Sequence, residues 1–369
     1  MKVLTMIDSF KGTITSSELG KITKDVLESK NISCDYIPIS DGGDGFLECI
    51  EKVITCKKVE MTVNNPFFSK INSYYLIDQK ENTAYIEMAL ASGINLIKEK
   101  DLNPFLASTY GTGELILDAI NKKCKKIIVG IGGSATNDGG SGMLEALGIK
   151  FYNNDFLLSQ MNCEKIGKVT HIDTKTFFEN IKNISFKALN DVKNPLLGKS
   201  GATYIFSKQK GAKENDFPLL EKYMKNYSDV CKKEFNVDNS MYSGSGAAGG
   251  MGFALKTFMK AEFIQGTKYI LDLMNYEKFI ENYDYIITGE GKIDIQSLSG
   301  KVVFSIKQRS LNKKVILVCA INELDLTKIK EYGIYKIYSI VPNIATREES
   351  LNNPIESYKK LCKTIELFK

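Results

Sequence analysis

The sequence predicts an α/β protein built from two α/β domains. Three observations predict it. Short apolar runs alternate with helix-length amphipathic segments along most of the 369 residues, the rhythm of layered, largely parallel sheets. Several of those runs end in loops of glycine beside Asp or Glu. The composition (43% apolar, 25% charged, 29 Gly, 7 Pro) is that of an ordinary globular chain, not of a disordered, collagenous or disulfide-scaffold one. At roughly 150 residues per domain, the length suggests two domains.

Taken in order, Val3–Ile7 reads as a strand and residues 16–30 as a helix. Cys34–Ile39 reads as a second strand, with a helix from about Gly45. Residues 55–63, 71–78 and 83–88 are three extended runs with no helix between them, which predicts an antiparallel patch. Further strands are expected at 126–130, 185–189, 284–288, 314–319 and 334–340. Helices are expected near 112–122, 140–147, 214–235, 247–259, 301–310 and 355–368. There is no internal repeat and no Gly/Ser linker, so boundaries rest on the change of pattern. They are placed near Asn65 and Asn282: one domain from 1–65 plus 283–369, with 66–282 inserted into it.

Composition excludes several functions. The net charge of +5 is mild, and Arg309 and Arg347 are the two arginines among 49 cations. Bidentate base and phosphate recognition favours arginine, so no nucleic-acid partner is expected. The single histidine, His171, argues against a histidine-rich metal centre and reads as a surface or capping group. None of the eight cysteines has C-x-x-C spacing, so packed, reduced thiols in a cytoplasmic protein are expected. No signal peptide is expected, and no apolar run approaches the ~20 residues of a membrane span.

Four strand ends carry acids next to glycine or small polar residues: Asp8-Ser9-Phe10-Lys11-Gly12, Ser40-Asp41-Gly42-Gly43-Asp44-Gly45, Asn190-Asp191 and Thr288-Gly289-Glu290-Gly291-Lys292-Ile293-Asp294. A lone acid there is usually a turn former or a helix cap. Four of them at ends where α/β sheets bind ligands predict a shared polar cleft. Such a cleft needs cations: Mg²⁺ on substrate phosphates, with Lys11, Lys292 and Lys301 nearby.

The densest glycine stretch, Gly130 to Gly142, follows a strand and precedes a helix. Its bare backbone and the helix N-terminus predict an anion site, best centred on Gly132, Gly133, Ser134 and Thr136. Gly130-x-Gly132-x-x-Ala135 also matches the dinucleotide fingerprint. The acid expected about 20 residues on is missing, because that region reads Lys150-Phe151-Tyr152-Asn153. No P-loop motif occurs. Tyr110-Gly111-Thr112-Gly113-Glu114 and Ser243–Gly250 also open helices, either as anion sites or for close packing.

These residues resemble the type 1 glycerate kinases. The resemblance is carried by Asp8–Gly12, Asp41–Gly45, Tyr110–Glu114, Gly132–Gly140, Asp191–Gly198, Gln209–Gly211, Gly246–Gly252 and Thr288–Lys301, in the family's order. It implies ATP- and Mg²⁺-dependent phosphorylation of D-glycerate, usually at the 2-hydroxyl. It also implies two α/β domains, one Rossmann- or flavodoxin-like with a largely parallel sheet, and an active site in the interdomain cleft. The family commonly has Cys-Asp-Val where this chain has Asn190-Asp191-Val192, which leaves the acid in place.

Phosphoryl transfer needs positioning, charge neutralisation and a base near the attacking hydroxyl. Asp191 is the expected base, with Lys11 and Asp8 as further catalytic groups. Ser9, Asp41, Gly132, Gly133, Ser134, Thr136, Asn137, Asp138, Glu290 and Lys301 are expected to bind substrate and phosphate. Asp41, Glu290 and Asp294 are expected to hold Mg²⁺. An NAD-dependent oxidoreductase of a small hydroxy acid, or a non-catalytic binder of one, are the alternatives. A homodimer is left open.

Overall fold

The computed structural model describes residues 1–298 and 302–367. Its strands are β1 (Lys2–Ile7), β2 (Ser33–Tyr36), β3 (Lys57–Asn64), β4 (Lys70–Asp78), β5 (Thr83–Glu87), β6 (Lys126–Gly130) and β7 (Lys150–Asn153). They continue with β8 (Phe156–Leu158), β9 (His171–Asp173), β10 (Ser185–Leu189), β11 (Glu262–Ile264), β12 (Tyr285–Ile293), β13 (Lys314–Asn322) and β14 (Lys336–Val341). The chain divides into two compact units. The first is Met1–Asp41, Glu48–Thr55 and Gln265–Lys369; the second is Gly42–Leu47 and Cys56–Ile264.

The division does not fall at the expected boundaries. Residues 57–64 pair antiparallel with 70–78, and those ladder bonds place the run in the second unit. Helix Gly266–Leu273 packs on helix Val302–Arg309 in the first.

The first unit is one parallel sheet in the order β14-β13-β12-β1-β2. Renumbered within the unit this is 2-1-3-4-5, the flavodoxin-like order, whose switch point lies between β1 and β12. Five of the six residues of β1 are buried, as a parallel strand covered on both faces requires. Helix Ser16–Glu28 starts at a capping box: Thr15 Oγ1 accepts from Glu18 N–H (3.2 Å), and the Glu18 carboxylate accepts from Thr15 N–H (2.9 Å). It closes the core on the C-terminal helix, where Thr23 Oγ1 meets Tyr358 OH at 2.7 Å among Leu19, Val26 and Leu361.

The second unit carries a six-stranded sheet, β11-β10-β6-β5-β4-β3. The three extended runs 55–63, 71–78 and 83–88 are β3, β4 and β5, antiparallel as expected. From β5 onward the sheet is parallel, with Glu87 and Leu189 both aligned with Gly130. A three-stranded antiparallel sheet, β8-β7-β9, was not expected from the sequence. Its strands are three or four residues long, too short for a clear alternating pattern. Among the described residues all eight cysteines are free, and no helix is long and apolar enough to cross a membrane.

Candidate active site

In the first unit, Asp8 follows β1 and its N–H donates to Gly289 O (2.9 Å), so it lies across from Glu290 of β12. These two acids therefore stand at the switch point of the sheet, where doubly wound folds bind ligands. Asp8 is 7% exposed and Glu290 8%. Burial, with Asp41 and Glu290 adding negative charge, pushes the Asp8 carboxyl up to about 8, against the pull of Lys11 and of the Ser9 N–H. That N–H donates to Asp8 Oδ1 at 2.8 Å. The Lys11 ammonium sits 3.5 Å from Asp41 Oδ2. The structure thus brings together Asp8, Ser9, Lys11, Asp41 and Glu290.

In the second unit, the glycine loop leaves β6 at Gly130. Among the described residues no protein acceptor meets the N–H groups of Gly133 and Ser134. Thr136 Oγ1, Asn137 Oδ1 and Ser141 Oγ are buried and have no hydrogen-bond partner among the described residues. Unsatisfied buried polar groups are rare and mark places where a ligand or water completes the set.

Asp138 needs reassignment. It is fully buried, and its carboxylate accepts from Thr109 N–H (2.9 Å), Thr109 Oγ1 (2.7 Å), Gly140 N–H (3.1 Å) and Gly142 N–H (3.1 Å). Burial still raises its carboxyl against those four donors. The negative charge expected at the start of helix Ser141–Ala146 is the chain's own Asp138. Through those four donors this acid shapes the loop.

The two other glycine segments resolve to packing. A Cβ on Gly249 (φ +66°) would lie 1.9 Å from Thr136 O, so bare backbone is required where this segment meets the loop. Helix Tyr110–Asn121 likewise lies close against the Met143 backbone at Gly113. The dinucleotide fingerprint also loses its context, because the helix starts at Ser141, six residues past Ala135.

Asp191 lies half-buried on the loop after β10, two residues beyond the position aligned with Gly130. The side chain of Asn190 pins that loop: its Oδ1 accepts from Val192 N–H at 2.8 Å, and its Nδ2 donates to Val192 O at 3.0 Å. Asp294 forms a turn, its Oδ1 accepting from Ser297 N–H at 3.1 Å. Among the described residues no three acids, cysteines or histidines converge on a metal position, which corrects the expected trio of Asp41, Glu290 and Asp294. A Mg²⁺ carried on phosphates needs one or two carboxylates and keeps its waters. Burial, then the charge of Asp41, holds a proton on Asp8, and a cation carried on phosphates would offset that neighbouring charge, so one or two carboxylates of the group Asp8, Asp41 and Glu290 fit it. Lys301 lies outside the described residues. His171 pairs with Glu234 at 2.8 Å on an exposed face.

Three residues to which the sequence reading assigns no site role stand at the loop. Lys210, 1% exposed, donates from Nζ to Ser134 Oγ (2.9 Å) and Thr136 O (2.6 Å). Its place in Gln209-Lys210-Gly211 was the available signal. Asp44 reaches the loop: a Cβ on Gly133 would lie 2.4 Å from Asp44 Oδ1. Glu87 accepts from Gly45 N–H (3.1 Å) and Leu47 N–H (3.0 Å), fixing the segment that carries Asp44.

Comparison with known proteins fits this geometry. The model of the Glycerate kinase family matches residues 3–368. A glycerate kinase of Bacillus cereus is 34% identical, over 99% of this chain and 97% of its own length. A glycerate 2-kinase of Escherichia coli is 34% identical, over 98% and 96%. A crystal structure from Salmonella typhimurium described as glycerate kinase 2 superposes with a TM-score of 0.78 at 30% identity, covering 98% of this chain and 96% of that one. With the family matched from end to end and the acids at its switch point, this chain belongs to the glycerate kinase family and is a kinase acting on a hydroxyl group.

Proposed function

We propose that this enzyme transfers the γ-phosphoryl group of ATP to the 2-hydroxyl of D-glycerate, in the cytoplasm, with Mg²⁺. The observation that carries the reading is the pairing of Asp8 and Glu290 at a flavodoxin-type switch point, with Asp41 and Lys11 alongside. A hydroxy acid supplies a carboxylate for Lys11 and hydroxyls for Ser9 and the acids. The loop Gly132–Asn137 supplies N–H donors for phosphate oxygens, as preorganised donors do for charge that develops during transfer.

Each group has a task. Asp191 orients the attacking hydroxyl and takes its proton. Lys11 neutralises the glycerate carboxylate. One or two carboxylates among Asp8, Asp41 and Glu290 would hold the cation. Mg²⁺, when bound, neutralises charge on the phosphates. Asp138 and Glu87 hold the loop and the Asp44 segment in shape.

The test is ADP release by the purified protein. Release should require ATP, Mg²⁺ and D-glycerate together and fall to background with L-glycerate. ADP release that does not depend on D-glycerate would overturn the reading.

A further inference from the structure

We propose that Lys210 is the anion-binding cation of the loop Gly132–Asn137, with two of its N–H groups held by Ser134 Oγ and Thr136 O and the third kept for an oxyanion of the substrates. This rests on the glycerate kinase reading above. Lys210 is 1% exposed, and among the described residues no carboxylate lies within ion-pair distance of its Nζ. A buried ammonium without a counter-charge is costly. The amine form has two N–H groups, which match the two acceptors. Burial accordingly pulls its pKa down to about 7, against the charge of Asp138.

The surroundings isolate this titration. Cys163 and Tyr227, buried near Asp138, keep their protons because burial raises both. Lys208, on the same turn, is exposed and pairs with Glu214 at 3.2 Å. An arriving oxyanion supplies the missing counter-charge. The amine then takes one proton from the buffer, and the new N–H of the ammonium donates to the anion. Thr136 Oγ1 and Ser141 Oγ, both unpartnered, offer further donors.

The shared chemistry is an oxyanion, from either a nucleotide phosphate or the glycerate carboxylate. Calorimetric titration in buffers of different ionisation enthalpy separates them, with ADP in one arm and D-glycerate in the other. At about pH 8, the arm that fills the loop should take up close to one proton, and at about pH 5.5 almost none. Lys210→Met should bind that ligand roughly ten- to a hundred-fold more weakly and without proton uptake, as expected for loss of a charge-assisted hydrogen bond. Its far-ultraviolet circular dichroism should match the wild type.

Wild-type binding without proton uptake in either arm would overturn the proposal even if Lys210→Met fails to fold. So would a Lys210→Met variant that binds both ligands as the wild type does, with the same proton balance. In both cases wild-type turnover would leave the kinase reading standing. Wild-type protein that neither binds nor turns over these ligands would overturn both.

Discussion

At the scale of single residues, Asp8 and Asp191 carry the sharpest consequences. Asp8 is protonated in the folded protein well above the range in which a free carboxyl ionises. The folded state therefore binds more protons than the unfolded chain between roughly pH 4 and pH 8. Stability attributable to this group is fully present below the ordinary carboxyl pKa and is lost as pH rises through about 8. Urea unfolding across that window should show a decline that Asp8→Asn flattens, by a few kcal/mol at the alkaline end. A wild-type minus variant difference that does not change with pH would contradict this. Asp191→Asn should lower kcat by roughly 10²- to 10⁴-fold with little change in KM, as expected when a proton acceptor is removed. A change in KM alone would assign Asp191 to binding. The strand-end acids were legible because Asp or Glu beside glycine after an apolar run is a local pattern. Lys210 was not, because lysine is rarely buried and burial is decided by distant elements.

At the scale of elements, the glycine loop depends on two supports. Gly249 lets one backbone approach another, and Asp138 gathers four donors from two segments. Gly249→Ala should cost at least about 2 kcal/mol and raise the KM for ATP, because left-handed backbone and a blocked contact add together. Asp138→Ala should cost about 3 kcal/mol or more by leaving buried N–H groups unpaired. Thermal unfolding and nucleotide KM check both, and unchanged loop function in either variant would count against the packing account. The sequence made the strand–loop–helix order readable here. It did not reveal that Asp138 would occupy the helix start, because an Asp before a helix can cap it or leave it open to a ligand. The short strands β7, β8 and β9 escaped notice for want of length.

At the scale of the whole molecule, the alternation of strands and helices announced an α/β chain, and the antiparallel run β3–β5 was readable from the missing helices. The unit boundaries were not, since β3 belongs to the second unit through pairing with β4, a contact that local pattern does not encode. The order 2-1-3-4-5 in the first unit turns the scattered acids at 8 and 290 into neighbours, and the proposed chemistry follows from that adjacency. The measurement that tests it most directly is ³¹P–¹H correlation NMR on the product formed from ATP, Mg²⁺ and D-glycerate. One new phosphoester should form, its phosphorus coupled to the C2 methine proton. A phosphorus coupled to the C3 methylene protons, or no phosphoester at all, would contradict it.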